Sequence, residues 1–109
     1  MSLPAEQFAA LSGLPGVQHC FTTRVAQLDV QADKTEALRR LDQVHREVRA
    51  AYAIGTGPLL TAEQVHGKEI GVVDAVLLQD ECLAECDGVI SNQPEICLGI
   101  YVADCCAVY

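Results

Sequence analysis

What this chain has little of narrows its class first. Its 109 residues contain no apolar run long enough to cross a bilayer, and no basic-then-apolar leader opens them. The expectation is therefore a soluble cytoplasmic protein with no membrane partner. Positive charge is scarce: 7 Lys and Arg stand against 15 Asp and Glu, for a formal net charge of -8. Phosphate backbones are held by concentrated Lys and Arg, so this balance argues against general nucleic-acid binding. A small phosphate-bearing ligand could still be held by one or two local Arg side chains or by backbone N–H groups. No internal repeat, low-complexity tract or linker is visible.

Apolar residues, by contrast, are plentiful. They make up 50% of the chain, enough to build a real core. A domain of about this length hides roughly two-thirds of the surface its unfolded chain would expose. The length fits one small domain over residues 1–109, or part of a larger one. Six cysteines stand at 20, 82, 86, 97, 105 and 106. Without a secretory signal they do not suggest a disulfide framework. Cys82 and Cys86 are four apart, and the adjacent Cys105 and Cys106 point to opposite faces of a strand, so the spacing is not that of a zinc ribbon. About two-thirds of the cysteines are expected to be buried small hydrophobes.

The order of patterns along the chain predicts an α/β protein, helices first and a sheet in the second half. Ser2, Pro4 and the apolar Phe8, Leu11 and Leu14 predict a short helix, ended by Gly13, Pro15 and Gly16. Val17 to Arg24 reads as a strand. Asp33 and Glu36 form a D-x-x-E cap for a helix whose Leu38, Leu41, Val44 and Val48 make one apolar stripe. Glu36–Arg40 and Asp42–Arg46 support it as i,i+4 pairs, and Gly55, Gly57 and Pro58 stop it. Leu59 to Val65, Glu69 to Leu77, Gly88 to Ser91 and Ile96 to Val108 are β-rich, with turn signals between them. The last stretch is apolar on both faces, which predicts a central, buried strand. It runs to Tyr109 without a turn or a polar tail, so the natural protein is expected to continue past that residue.

Two residues stand where chemistry is usually placed. His66, in Glu63-Gln64-Val65-His66-Gly67, ends a predicted strand just before a turn, a position from which a scaffold presents side chains. Alone it reads first as an ordinary surface or structural histidine. Cys105 follows Asp104 in Tyr101-Val102-Ala103-Asp104-Cys105-Cys106. Asp104 is the single charge between Ile96 and Tyr109. A carboxylate in so apolar a strand is costly unless paired or used to orient another group. It would accept a hydrogen bond from a ligand histidine, or bond a nearby backbone N–H at a strand end. Arg24, beside Thr22 and Thr23, is a candidate anion contact. The alternative is a surface Arg paired with one of the many carboxylates.

Four segments together resemble the YfiH/laccase-domain family. His19-Cys20-Phe21-Thr22-Thr23-Arg24 is similar to its early H-G-F-T-T-R strand. Gln64-Val65-His66-Gly67 matches its QVHG motif. Cys86-Asp87-Gly88-Val89-Ile90-Ser91-Asn92 resembles its A-D-G-hydrophobic-hydrophobic-T-N segment. Leu98-Gly99-Ile100-Tyr101-Val102-Ala103-Asp104-Cys105 resembles an apolar strand ending in T-A-D-C. The order is the family's, from about His19 to the last residue. Departures are Cys86 for Ala, Val102 for Thr, and Val25-Ala26-Gln27-Leu28-Asp29 where the family has a Gly-Gly segment and an N-L-G motif. They bear on the substrate pocket more than on the metal site.

The resemblance implies mixed β-sheets sandwiched by helices, of which this chain is the amino-terminal portion. It also implies a zinc site formed by His66, Cys105 and a second histidine in an H-A-G-W-R-G motif that lies past Tyr109. His45, on the capped helix, and His19 are poor substitutes for that ligand. Three protein ligands leave a fourth zinc position open, the mark of a catalytic site. The implied activity is phosphorolysis of adenosine or inosine, deamination of adenosine, or both, with a purine nucleoside and phosphate as partners. Three alternatives remain open. One is a metal-free thiol enzyme with Cys105 as nucleophile and His66 as its base. Another is a copper-dependent polyphenol oxidase, the family's older label, for which one His and one Cys do not make a multicopper arrangement. The third is an inactive fragment or interaction domain.

Overall fold

A computed structural model describes residues 4–54 and 57–102. It shows a mixed α/β architecture of small sheets and helices in two compact units, Met1–Thr56 and Gly57–Tyr109. Among the described residues, no helix is long and apolar enough to cross a membrane.

Among the described residues the expected short helix is present, but a strand of a β-ribbon precedes it. Strand β1, Ala5–Glu6, pairs antiparallel with β2, Phe21–Thr22, and Thr23 N–H donates to the Pro4 carbonyl at 2.7 Å. The ribbon claims the backbone that the Pro4 signal had assigned to a first helical turn, and helix α1 is confined to Ala9–Ser12. The expected strand over 17–24 likewise shortens to two residues. His19 closes the loop between the strands. It is buried, its Nε2 accepts the Phe8 N–H at 2.8 Å, and its carbonyl accepts from Gln7 Nε2 at 2.9 Å. Its ring stacks on Phe8, with centroids 6.1 Å apart and planes 18° from parallel. An accepting Nε2 places the ring proton on Nδ1, so His19 serves as a structural acceptor.

Helix α2 spans Lys34–Ala51 and follows the sequence pattern closely. Asp33 Oδ1 accepts the Glu36 N–H at 2.9 Å, satisfying one of the donors a helix start leaves open. The Glu36 carboxylate turns instead to Arg39 and Arg40, at 2.6 and 3.1 Å. Those two guanidiniums hold its pKa down at about 2. Asp42 and Arg46 pair at 2.7 Å. Val48 is buried, while Leu38, Leu41 and Val44 are half-buried on the same stripe. The helix ends before Gly55, which lies outside the described residues. Ala53 takes the left-handed position, φ 59°, that glycine usually fills. Its N–H reaches the Ala50 carbonyl and the Ile54 N–H reaches that of Arg49, a Schellman closure.

The second unit is built from parallel strands. Strands β3 (Leu59–Ala62), β4 (Ile70–Val73), β5 (Glu81–Leu83), β6 (Gly88–Ser91) and β7 (Cys97–Leu98) form two sheets, β5-β3-β7 and β4-β6. The registers include Leu60↔Glu81, Leu59↔Cys97 and Ile70↔Gly88. Flanked on both sides, β3 buries three successive residues, Leu60, Thr61 and Ala62, the continuous burial expected of a central parallel strand. The sequence had given that central place to residues 96–108. In the described part of that stretch β7 is two residues long and neighbours β3, and Leu98 is 45% exposed. Residues 103–108 lie outside the described residues. Strand β5 was not anticipated. Glycine at 71 gives the neighbouring side chains room, because a Cβ there would meet a Leu83 methyl, which would have to shift, and lie 3.3 Å from the Cys86 thiol.

Candidate functional site

The turn between β3 and β4 carries His66, and its shape is fixed from outside the turn. His66 has φ 59°, a left-handed backbone that costs a side-chain-bearing residue about 1–2 kcal/mol. Asp87, immediately before β6, offsets that cost. Its Oδ1 accepts the N–H groups of Val65 at 3.0 Å and His66 at 2.8 Å, and its Oδ2 accepts that of Gly67 at 2.8 Å. The Asp87 N–H in turn donates to the Glu69 carbonyl at 2.9 Å. Three successive amide donors thus converge on one carboxyl group. The local sequence suits this arrangement. A Cβ on residue 67 would lie 3.2 Å from Oδ2, so glycine admits the carboxylate most easily. Glu85, left-handed at φ 56°, turns the chain between β5 and Asp87.

The His66 imidazole itself is exposed, and among the described residues it has no hydrogen-bond or ion-pair partner. A ring carried on a pinned turn and not engaged by a described neighbour can donate a nitrogen lone pair to a metal. Cys105 and Asp104 lie outside the described residues. Among the described ones, no group of three or more His, Cys, Asp or Glu could hold a metal ion. Arg24 is placed just after β2, exposed and without an ion pair among the described residues, so the surface pairing considered from sequence is not found there.

The remaining candidates have structural settings. Burial pushes the Cys20 thiol pKa up, with Arg49 acting in the opposite direction, and a raised thiol is a poor nucleophile. Cys20, Cys86 and Cys97 are half-buried and Cys82 is exposed, so none of the four described cysteines is the fully buried hydrophobe expected. His45 on α2 is pushed below its ordinary pKa by burial and by Arg49, partly opposed by Asp42. Asp87 was quoted within a motif but given no role from sequence. The available signal was an Asp-Gly pair next to a strand, which reads first as a turn.

A shallow cavity of about 380 Å³ is lined by Val72, Asp74, Ile90, Ser91 and Asn92. These residues lie at the carboxyl ends of β4 and β6, whereas the His66 turn and Asp87 lie at the amino ends. The cavity and the histidine therefore mark opposite ends of one strand pair.

Neither a curated protein nor a solved structure matches the chain. A family model described as multi-copper polyphenol oxidoreductase laccase matches residues 17–109. That span takes in the His19–Arg24 segment, the His66 turn, the Asp87 segment and the Cys105 segment. The chain belongs to the multi-copper polyphenol oxidoreductase laccase family, the YfiH-like laccase-domain proteins.

Proposed function

We propose that this protein is a zinc-dependent purine nucleoside enzyme of the laccase-domain family, carrying out phosphorolysis of adenosine or inosine, deamination of adenosine, or both. The observation that carries the reading is the exposed His66 imidazole on a turn fixed by three bonds to Asp87. His66 and Cys105 would hold the metal together with a histidine past Tyr109. Neutral imidazole and thiolate are donors that zinc accepts readily. When bound, zinc would supply Lewis acidity and bring the pKa of water towards about 7. Asp104, next to Cys105, would orient a ligand histidine by accepting its ring N–H. Arg24 would hold phosphate. A chain of net charge -8 disfavours anions at long range, so a local guanidinium with no ion pair among the described residues is the kind of group that phosphate binding needs.

The description of the matched family favours a second reading, copper-dependent oxidation of polyphenols. A metal-free reaction with Cys105 as nucleophile and His66 as base is the third. Metal analysis of the full-length protein, alongside turnover of adenosine and inosine, separates them. The expected result is about one zinc per chain, with zinc and turnover both lost on His66→Ala or Cys105→Ala. Copper with phenol oxidation would replace this reading by the second. Metal-free protein inactivated by selective iodoacetamide labelling of Cys105 would replace it by the third.

A further inference from the structure

We propose that Asp87 is a positioning residue for His66: by taking the amide hydrogens of residues 65–67, its carboxylate holds the turn that presents the imidazole to the metal. The inference rests on reading His66 as a ligand. The geometry supplies the rest. Asp87 lies about 20 residues from the turn in sequence, yet both of its oxygens are committed to that turn's backbone. The left-handed His66 backbone is a state the residue avoids without compensation, and the compensation comes from this carboxylate. Val65 and Gly67 are held in the same way, so the ring's attachment point is fixed on both sides. The Asp87 N–H bond to Glu69 ties the far end of the turn to the same residue. Asp87 sits directly before β6, and Glu69 directly before β4. The in-register pairing of those strands therefore sets the distance between carboxylate and turn.

The chemistry demands an aspartate. Asparagine retains one acceptor oxygen, which can serve Val65 and His66, but it places an NH₂ group against the Gly67 N–H. Asp87→Asn should therefore release Gly67 while the other two amides stay held. Asp87→Ala should release all three. A comparison residue exists in the same unit: Asp80 Oδ1 accepts the Leu59 N–H at 2.9 Å, a carboxylate-to-backbone bond at the opposite end of β3 from the His66 turn.

The test uses the full-length protein and its Asp87→Ala, Asp87→Asn, Asp80→Ala and His66→Ala variants. Amide hydrogen exchange at residues 65–67 in metal-stripped protein reads the clamp directly. Zinc affinity by chelator competition reads its consequence, and the visible spectrum after cobalt substitution reads the ligand geometry. The expected result is faster exchange at 65–67 in Asp87→Ala, and at Gly67 alone in Asp87→Asn. Zinc affinity should fall roughly 10–100-fold in Asp87→Ala and less in Asp87→Asn, the range seen when residues supporting a ligand are removed. Asp80→Ala should leave zinc affinity unchanged. If Asp87→Ala binds zinc as the wild type does while His66→Ala loses it, the positioning role is overturned and the zinc reading stands. If Asp80→Ala loses as much affinity as Asp87→Ala, the effect is general destabilisation and the role is again overturned. If His66→Ala keeps its zinc, the ligand assignment itself fails and the inference falls with it.

Discussion

Truncating Leu60 tests where the core of the second unit lies. Leu60 is fully buried on β3, between β5 and β7. Leu60→Ala removes three carbons, worth about 2.4 kcal/mol at roughly 0.8 kcal/mol per methylene. The incompletely filled cavity raises the expected loss to about 3–4 kcal/mol. Leu98 pairs with Leu60 in register but is 45% exposed, so Leu98→Ala forfeits a smaller transfer term and leaves no closed void. Its expected cost is about 1 kcal/mol. Urea unfolding of the 109-residue chain, followed by circular dichroism, measures both. The midpoint should fall with the slope unchanged if only stability has altered. In thermal melts Leu60→Ala should lower Tm by more than about 12 °C, at roughly 4–8 °C per kcal/mol for a chain near this size. Equal losses for the two variants would refute the assignment of β3 as the core strand and restore the expectation that residues 96–108 form the centre.

Two further outcomes follow from the first unit. Asp33→Ala removes the side-chain acceptor for the Glu36 N–H and should cost about 1 kcal/mol in the same unfolding assay, with Asp33→Asn close to wild type. His45 is held below its ordinary value of 6.5, so the folded state binds fewer protons at that site than the unfolded state does. Its contribution is full above about pH 6.5 and declines as pH falls through the interval between the unfolded and folded values. Stability measured from pH 7.5 down to 5 should drop more steeply in the wild type than in His45→Gln, and identical profiles would exclude this linkage.

The parts of the fold that were legible in the sequence are those decided locally. Helix α2 announced itself through the Asp33 cap, the Leu38–Val48 stripe and the two i,i+4 pairs, all signals a few residues apart. Strand β6 was read with its observed limits because Asp87–Gly88 and Asn92–Pro94 bracket a short apolar run. Strand β5 was invisible. Glu81-Cys82-Leu83 shows no alternation, and its strand state comes from pairing with Leu60–Ala62. The short helix that stops at Gly13 was read correctly, but its start was placed too early for a similar reason, since Pro4 suits a helix until Phe21 and Thr22 supply a strand partner for Ala5 and Glu6. At the candidate site, motif order pointed to His66. The bonds that shape its turn join residues about 20 positions apart, and no local pattern encodes them.

The all-parallel pairing of the second unit also orders events in time. Strand β3 leaves the ribosome first, yet its partner at Cys97 is made roughly forty residues later, about 2–8 s at ordinary rates of synthesis. Until β5 and then β7 are made Leu60 and Ala62 lack their strand partners, and no hairpin can shield them, because those partners run in the same direction. The strand that leads into the His66 turn is thus the first of its unit to be made and must wait for partners on both sides, which makes it the segment that a nascent-chain chaperone would be expected to hold.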